Sequence, residues 1–186
     1  MQCKALKSLP REFCKYKYPL VGGIWPINIL NKVDIIGDAV KNYKRLAENR
    51  QAIAFCISDK HGQFVTQKFK DAGYTAEIRT VEMNTKARDD LVKRFSNNKL
   101  LILVSVDVIS EGFNIPACGV AILLRPTASE ALYLQQVGRV LRPKEDKVAI
   151  VLDHVGNTKR HGFVDEERFY TLDQKAKSKR KGSTQG

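Results

Sequence analysis

Leu100-Leu101-Ile102-Leu103-Val104, Val120-Ala121-Ile122-Leu123-Leu124 and Gln135-Gln136-Val137-Gly138-Arg139-Val140-Leu141-Arg142 are the landmarks of the run from Leu100 to Pro143, and that run decides the fold. The first two are uninterrupted apolar segments of strand length, the mark of strands buried on both faces. Arg125-Pro126-Thr127 follows the second and opens a helix, with Thr127 and Glu130 at capping-box spacing. On that helix Gln135, Arg139 and Arg142 recur at i, i+4 and i+7 and share a face beside Gly138. Leu134, Val137 and Leu141 form a separate apolar stripe suited to packing on a sheet. Two arginines aimed together from a helix suit a doubly charged planar anion, because the guanidinium fork matches phosphate in geometry and charge.

The same alternation extends outward. Asp34 to Ala47 carries apolar residues at 35, 36, 39, 40, 43 and 46, a helical stripe, and Ala52 to Ile57 reads as a buried strand. A helix from about Gly62 to Ala72 is stopped by Gly73, and Thr75 to Ile78 is a short strand. Asn84 or Thr85 caps a helix that runs to Phe95, and Val148 to Asp153 is a last strand. Strand alternating with helix predicts an α/β fold, a parallel sheet with helices on both faces. Ligands of such sheets sit beyond the carboxyl ends of the strands, where Ser58, Ser105 and Arg125 fall.

The chain of 186 residues is long enough for one full core, and 43% hydrophobic with 28% charged residues is ordinary for a globular protein. A net charge of +12 is not ordinary and points to polyanionic partners. No run approaches the ~18 apolar residues of a membrane span, so no membrane partner is expected. Cys3, Cys14, Cys56 and Cys118 lack C-x-x-C spacing, which leaves reduced thiols in a cytoplasmic protein as the simplest account, with no metal site. Residues 1–33 are broken by Pro10, Pro19, Gly22, Gly23 and Pro26 and read as an irregular arm or interdomain linker. Residues 174–186 carry Lys175, Lys177, Lys179, Arg180 and Lys181 without apolar periodicity and read as a basic disordered tail. His61, His154 and His161 have no zinc-ligand spacing and are read as structural, and Asp165-Glu166-Glu167 as a helix start or solvated acidic patch.

Gln135-x-x-Gly138-Arg139-x-x-Arg142 resembles motif six of superfamily-two helicases. Ser105 to Pro116 resembles their motif five, with Asn114 where the family has Asp and Ser105 where Thr is commoner; Arg125-Pro126-Thr127 with Ser129 resembles the segment between the two. Leu152-Asp153-His154-Val155-Gly156-Asn157 and Arg160-His161-Gly162-Phe163 are similar to RadD-like bacterial and phage ATPases. The resemblance spans roughly Asp34 to Asp173 and implies a RecA-like helicase C-terminal domain over 34–173. It implies that Arg142 is the arginine finger on the ATP γ-phosphate, Arg139 its companion, and Gln135 the residue orienting the helix at the cleft, a catalytic set of three. Glu111, Gly112 and Asn114 are implied at the nucleotide. Ser58, Lys60, Ser105, Arg125 and Thr127 are implied on the nucleic-acid backbone, with DNA the expected form.

The phosphate-binding loop G-x-x-x-x-G-K-[ST] is missing, since the sequence contains no Gly-Lys pair. ATP and Mg2+ are therefore expected mainly on an N-terminal RecA-like lobe supplied in cis or in trans, and this chain alone is expected to be inactive. Two other readings stay open. A stand-alone nucleic-acid-binding or regulatory module would fit the missing loop, but it has no use for a finger. A nucleotide-sugar or small-molecule enzyme on a doubly wound sheet would need a glycine-rich turn after the first strand, and Ser58-Asp59-Lys60-His61 supplies none.

Overall fold

The computed structural model describes residues 7–8, 33–80, 82–106, 118–138, 140 and 149–168. Arg139 and Arg142, the loop residues Glu111, Gly112 and Asn114, and the tail from 174 to 186 lie outside them. The described chain runs β1 (Lys7–Ser8), α1 (Val33–Ala47), β2 (Ala52–Phe55), α2 (Asp59–Asp71), β3 (Ala76–Arg79), α3 (Thr85–Ser96), β4 (Ile102–Ser105), β5 (Val120–Leu123), α4 (Glu130–Gly138), β6 (Ile150–Asp153) and α5 (Asn157–His161).

All strands pair parallel in one sheet of order β1-β6-β5-β2-β4-β3. The expected α/β fold of RecA-like type, with a parallel sheet and helices on both faces, is what forms. The central strands β2, β4 and β5 are buried at every residue, as their unbroken apolar sequences require. Alternation along each strand sorts the core into two layers. Ala52, Ala54, Cys56, Ile102, Val104, Val120 and Ile122 face α1 and α2, through Tyr43, Val65 and Phe69. Ile53, Phe55, Leu103, Ala121 and Leu123 face α3 and α4, through Leu91, Phe95, Tyr133 and Val137. Full burial of side chains such as Phe95 or Leu91 contributes roughly 1.5–3 kcal/mol each.

Local chemistry explains the helix ends. The Asn84 side chain accepts from the Ala87 amide at 2.8 Å and so caps α3. In α2, Gly62 lies so close to the sheet that a Cβ there would stand 2.6 Å from Ile78 and 2.9 Å from Val106. Only glycine lets this first turn settle directly over the ends of β3 and β4. Among the α1 side chains described, Ala39, Tyr43 and Ala47 are buried, while Leu46, placed in the apolar stripe by the sequence, is 38% exposed. The spacing of four selects the face against Phe69 and Tyr74, whose rings meet Tyr43 edge-on. No helix of the described residues is long and apolar enough to cross a membrane.

Candidate functional site

The neighbouring strands β2 and β5 are followed by helices on opposite faces of the sheet, α2 on one and α4 on the other. This is the switch point at which doubly wound sheets bind ligands, beyond the carboxyl ends of the strands. In register along that edge stand Arg79, Ser105, Phe55, Leu123 and Asp153. The connections leaving it carry Ser58 and Lys60 after β2, Val106 after β4, and Arg125 to Thr127 after β5. One edge therefore gathers Ser58, Lys60, Ser105, Arg125 and Thr127, which the sequence scatters over 70 residues.

Ser58, Arg125 and Thr127 also have structural duties. Ser58 is extended and caps α2, its hydroxyl oxygen accepting from the His61 amide at 3.3 Å. Its own proton remains available to an acceptor. Lys60 is exposed on the first turn of α2. Arg125 is half-buried and donates to the Val106 carbonyl at 3.3 Å, which ties the ends of β4 and β5 on either side of β2. Ser105 is 1% exposed. His61 is buried with Nδ1 accepting from the Ile57 amide at 3.4 Å, and burial lowers its pKa to about 4, so the ring is neutral. His154 is likewise buried; burial lowers its pKa to about 4 against the opposing pull of Asp153 and Asp38. Both fit the structural reading.

The helix that carries motif six departs from expectation in three ways. It ends at Gly138, short of Arg139 and Arg142. Its cap is Ser129, not Thr127. Helix α4 begins at Glu130, and the Ser129 hydroxyl accepts from Leu132 N at 3.3 Å, three residues on. Thr127 instead folds the preceding turn, its hydroxyl oxygen accepting from Ser129 N at 3.0 Å. The buried stripe is also rotated, running through Tyr133, Gln136, Val137 and Val140, with Leu134 only half-buried and Leu141 outside the described residues. Gln135 is exposed. The stripe turns because Tyr133 has a docking place, where its hydroxyl donates to the Gly162 carbonyl at 3.3 Å and its ring stacks on His161.

Gln136 is wholly buried, and both ends of its carboxamide lack a hydrogen-bond partner among the described residues. An unsatisfied buried amide costs about 1–3 kcal/mol. Gln136→Met, similar in shape without the amide, is expected to stabilise the chain by about 1 kcal/mol, read from its denaturant unfolding midpoint. A lower midpoint would mean the amide is satisfied after all.

Sequence reasoning quoted the residues after β6 for their resemblance alone and missed what they hold. Asp153 accepts from the amides of Val155, Gly156 and Thr158 at 3.1, 3.0 and 2.7 Å and so starts α5, with Gly156 at φ 74° making the turn. From α5, Asn157, Arg160 and His161 reach the backbone of residues 125–127, and Arg168 reaches Glu130. Also unforeseen is Arg79, 4% exposed at the carboxyl end of β3 beside Ser105. A five-residue helix carries too little periodicity to announce itself. Asp165, Glu166 and Glu167 are exposed and outside any helix, a solvated patch.

Comparison with known proteins agrees with this architecture. Residues 31–144 match the helicase conserved C-terminal domain family. A 51.5 kDa protein of a Lactococcus phage is 39% identical over 131 residues, 70% of this chain and 29% of the phage protein. IRC3 of Saccharomyces cerevisiae, which carries the name of an ATP-dependent helicase, is 26% identical over 133 residues, 69% of this chain and 19% of that protein. This chain thus spans under a third of either relative. Among solved structures, the C-terminal domain of the DEAD-box protein Dbp5 superposes with a TM-score of 0.59 at 25% identity, over 70% of this chain and 76% of that one. With that match over more than half its length and a RecA-like sheet to go with it, the chain belongs to the helicase conserved C-terminal domain family, the second lobe of superfamily-two helicases.

Proposed function

We propose that this chain is the second motor lobe of an ATP-dependent nucleic-acid helicase or translocase, acting on DNA. The observation that carries the reading is the assembly of Ser58, Lys60, Arg125 and the entry to α4 on one carboxyl edge of the sheet. The lobe spans residues 34–173, with an arm before it and a basic tail after it. An N-terminal RecA-like lobe binds ATP and Mg2+, and this lobe closes over them, with Glu111, Gly112 and Asn114 at the nucleotide and Arg139 and Arg142 at its phosphates. Gln135, exposed on α4, faces the partner lobe across the cleft. Closure on ATP and reopening after hydrolysis alternate the grip of Ser58, Lys60, Ser105, Arg125 and Thr127 on the phosphate backbone, which converts turnover into stepping. Sequence preference is weak because phosphates carry no base information.

The test joins this chain to the ATP-binding lobe that precedes it in the natural protein or partners it in trans. DNA-stimulated ATP hydrolysis is expected from the pair and none from this chain alone. DNA binding with no effect on any ATPase would favour a stand-alone binding module instead. Binding of the chain to DNA is expected to weaken about a thousandfold between 50 and 200 mM salt, for roughly six phosphate contacts. A flat response in a fluorescence-anisotropy titration would sink the electrostatic part of this reading.

A further inference from the structure

Resting on that reading, we propose that Asn157 and Arg168 are positioning residues for the motor step: they set the angle of α4, whose last residue, Gly138, leads in sequence directly into Arg139. The connection from β5 to α4 has backbone groups that no strand pairs, and a buried carbonyl or amide left alone is costly. Asn157, wholly buried, satisfies two of them with one side chain. Its Oδ1 accepts from Thr127 N at 3.0 Å, and its Nδ2 donates to Arg125 O at 2.9 Å. The carboxamide thus stands in for an absent strand. The Thr127 carbonyl then accepts from Arg160 at 2.9 Å and is met by His161 Nε2 at 2.8 Å.

Arg168 closes the other side. Its Nε donates to Glu130 Oε1 at 2.6 Å, on the first turn of α4, and its remaining nitrogens donate to the carbonyls of His161, Phe163 and Glu166 at 3.0, 2.8 and 3.1 Å. One guanidinium fork therefore fastens the chain after α5 to the start of α4. Tyr133, a turn further along, is held by Thr158 and Gly162. From Arg125 to Tyr133, four residues are gripped by the segment 157–168, itself anchored to β6 through Asp153.

A helix transmits such a grip. At 1.5 Å per residue, Gly138 lies roughly 12 Å along the axis from Glu130, so about 10° of slack at the first turn becomes about 2 Å at the end. Arg139 is the next residue. A misplacement of about 1 Å at reacting groups can cost about a hundredfold in rate. Asn157 and Arg168 themselves touch no nucleotide, so loss of the grip falls on turnover and not on ATP affinity, while the hold of Arg125 and Thr127 on DNA loosens with it.

The experiment uses the complete two-lobe protein, well below its melting temperature. Asn157→Asp keeps the acceptor for Thr127 N but sets an oxygen against the Arg125 carbonyl. It is expected to lower kcat by roughly ten- to a hundredfold with KM for ATP within about twofold. Binding of ADP with aluminium fluoride, a transition-state mimic, should weaken in step with kcat, whereas a merely destabilised lobe would lower the melting temperature and leave that affinity intact. Arg168→Ala should behave similarly and Arg168→Lys should recover part of the rate, since lysine keeps the Glu130 pair but loses the fork. Wild-type kcat in Asn157→Asp and Arg168→Ala, in a protein whose DNA-stimulated ATPase is otherwise normal, would overturn the positioning role alone. A wild-type protein without such ATPase would overturn the motor reading beneath it.

Discussion

Arg142→Ala in the two-lobe protein is expected to lower ATP turnover by about a thousandfold or more while ATP and DNA affinities stay within a fewfold. Arg142 lies seven residues after Gln135 and three after Arg139 in the stretch that resembles motif six, beyond the end of α4 at Gly138. A finger contributes where charge accumulates on the transferring phosphoryl group, and that charge is greatest in the transition state. Removing it therefore raises the barrier far more than it weakens binding. Arg142→Lys should retain only part of the rate, because an ammonium lacks the planar fork that spans two phosphate oxygens. Steady-state hydrolysis and equilibrium binding measured on the same preparations decide the matter. Equal losses in turnover, ATP affinity and DNA affinity would remove the finger role and leave Arg142 as a general structural contact.

Lowering the pH from 7 to 5 is expected to take about 3–4 kcal/mol from the folding stability of this chain. His61 and His154 have pKa values lowered to about 4, in both cases by burial first. In the unfolded chain histidine titrates near 6.5. Between those values the unfolded chain binds protons that the folded chain refuses, so stability is complete above about pH 6.5 and is lost as pH falls toward 4. Each histidine contributes about 2 kcal/mol of that loss by pH 5 and about 3 kcal/mol when titration is complete. Urea unfolding at pH 7.5 and 5.0 reads the difference, and His154→Gln should halve it. Equal midpoints at the two pH values would mean that neither ring is held neutral by the fold. Because the two rings follow β2 and β6 at the carboxyl edge of the sheet, acid should loosen the site before it melts the opposite end.

The helix and strand segments were legible in the sequence wherever a single periodicity ruled. Ala52 to Ile57 and Val120 to Leu124 are apolar without a break, and the strands Ala52–Phe55 and Val120–Leu123 form within them with every strand residue buried. Asn84 was legible as a cap because its side chain needs only the amide three residues on. Reading failed where two local solutions had similar energies. Thr127 and Ser129 both offer a hydroxyl to the start of α4, and the helix took Ser129 because Asn157, Arg160 and His161 had already claimed the backbone of Thr127.

The motif residues show the same division. Their types and order along the chain identified the family, and strand alternation implied which sheet edge they share. Those are properties of neighbours in sequence, governed by backbone geometry and local propensity. Which face of α4 is buried, what holds its first turn and which histidines are neutral were decided only by tertiary structure. Tyr133 rather than Leu134 turns inward because residues 158–162, some 25 to 29 positions away, supply a hydroxyl, a carbonyl and a ring for it. No local pattern encodes a partner at that distance, because its favourable energy appears only after β5 and β6 have paired.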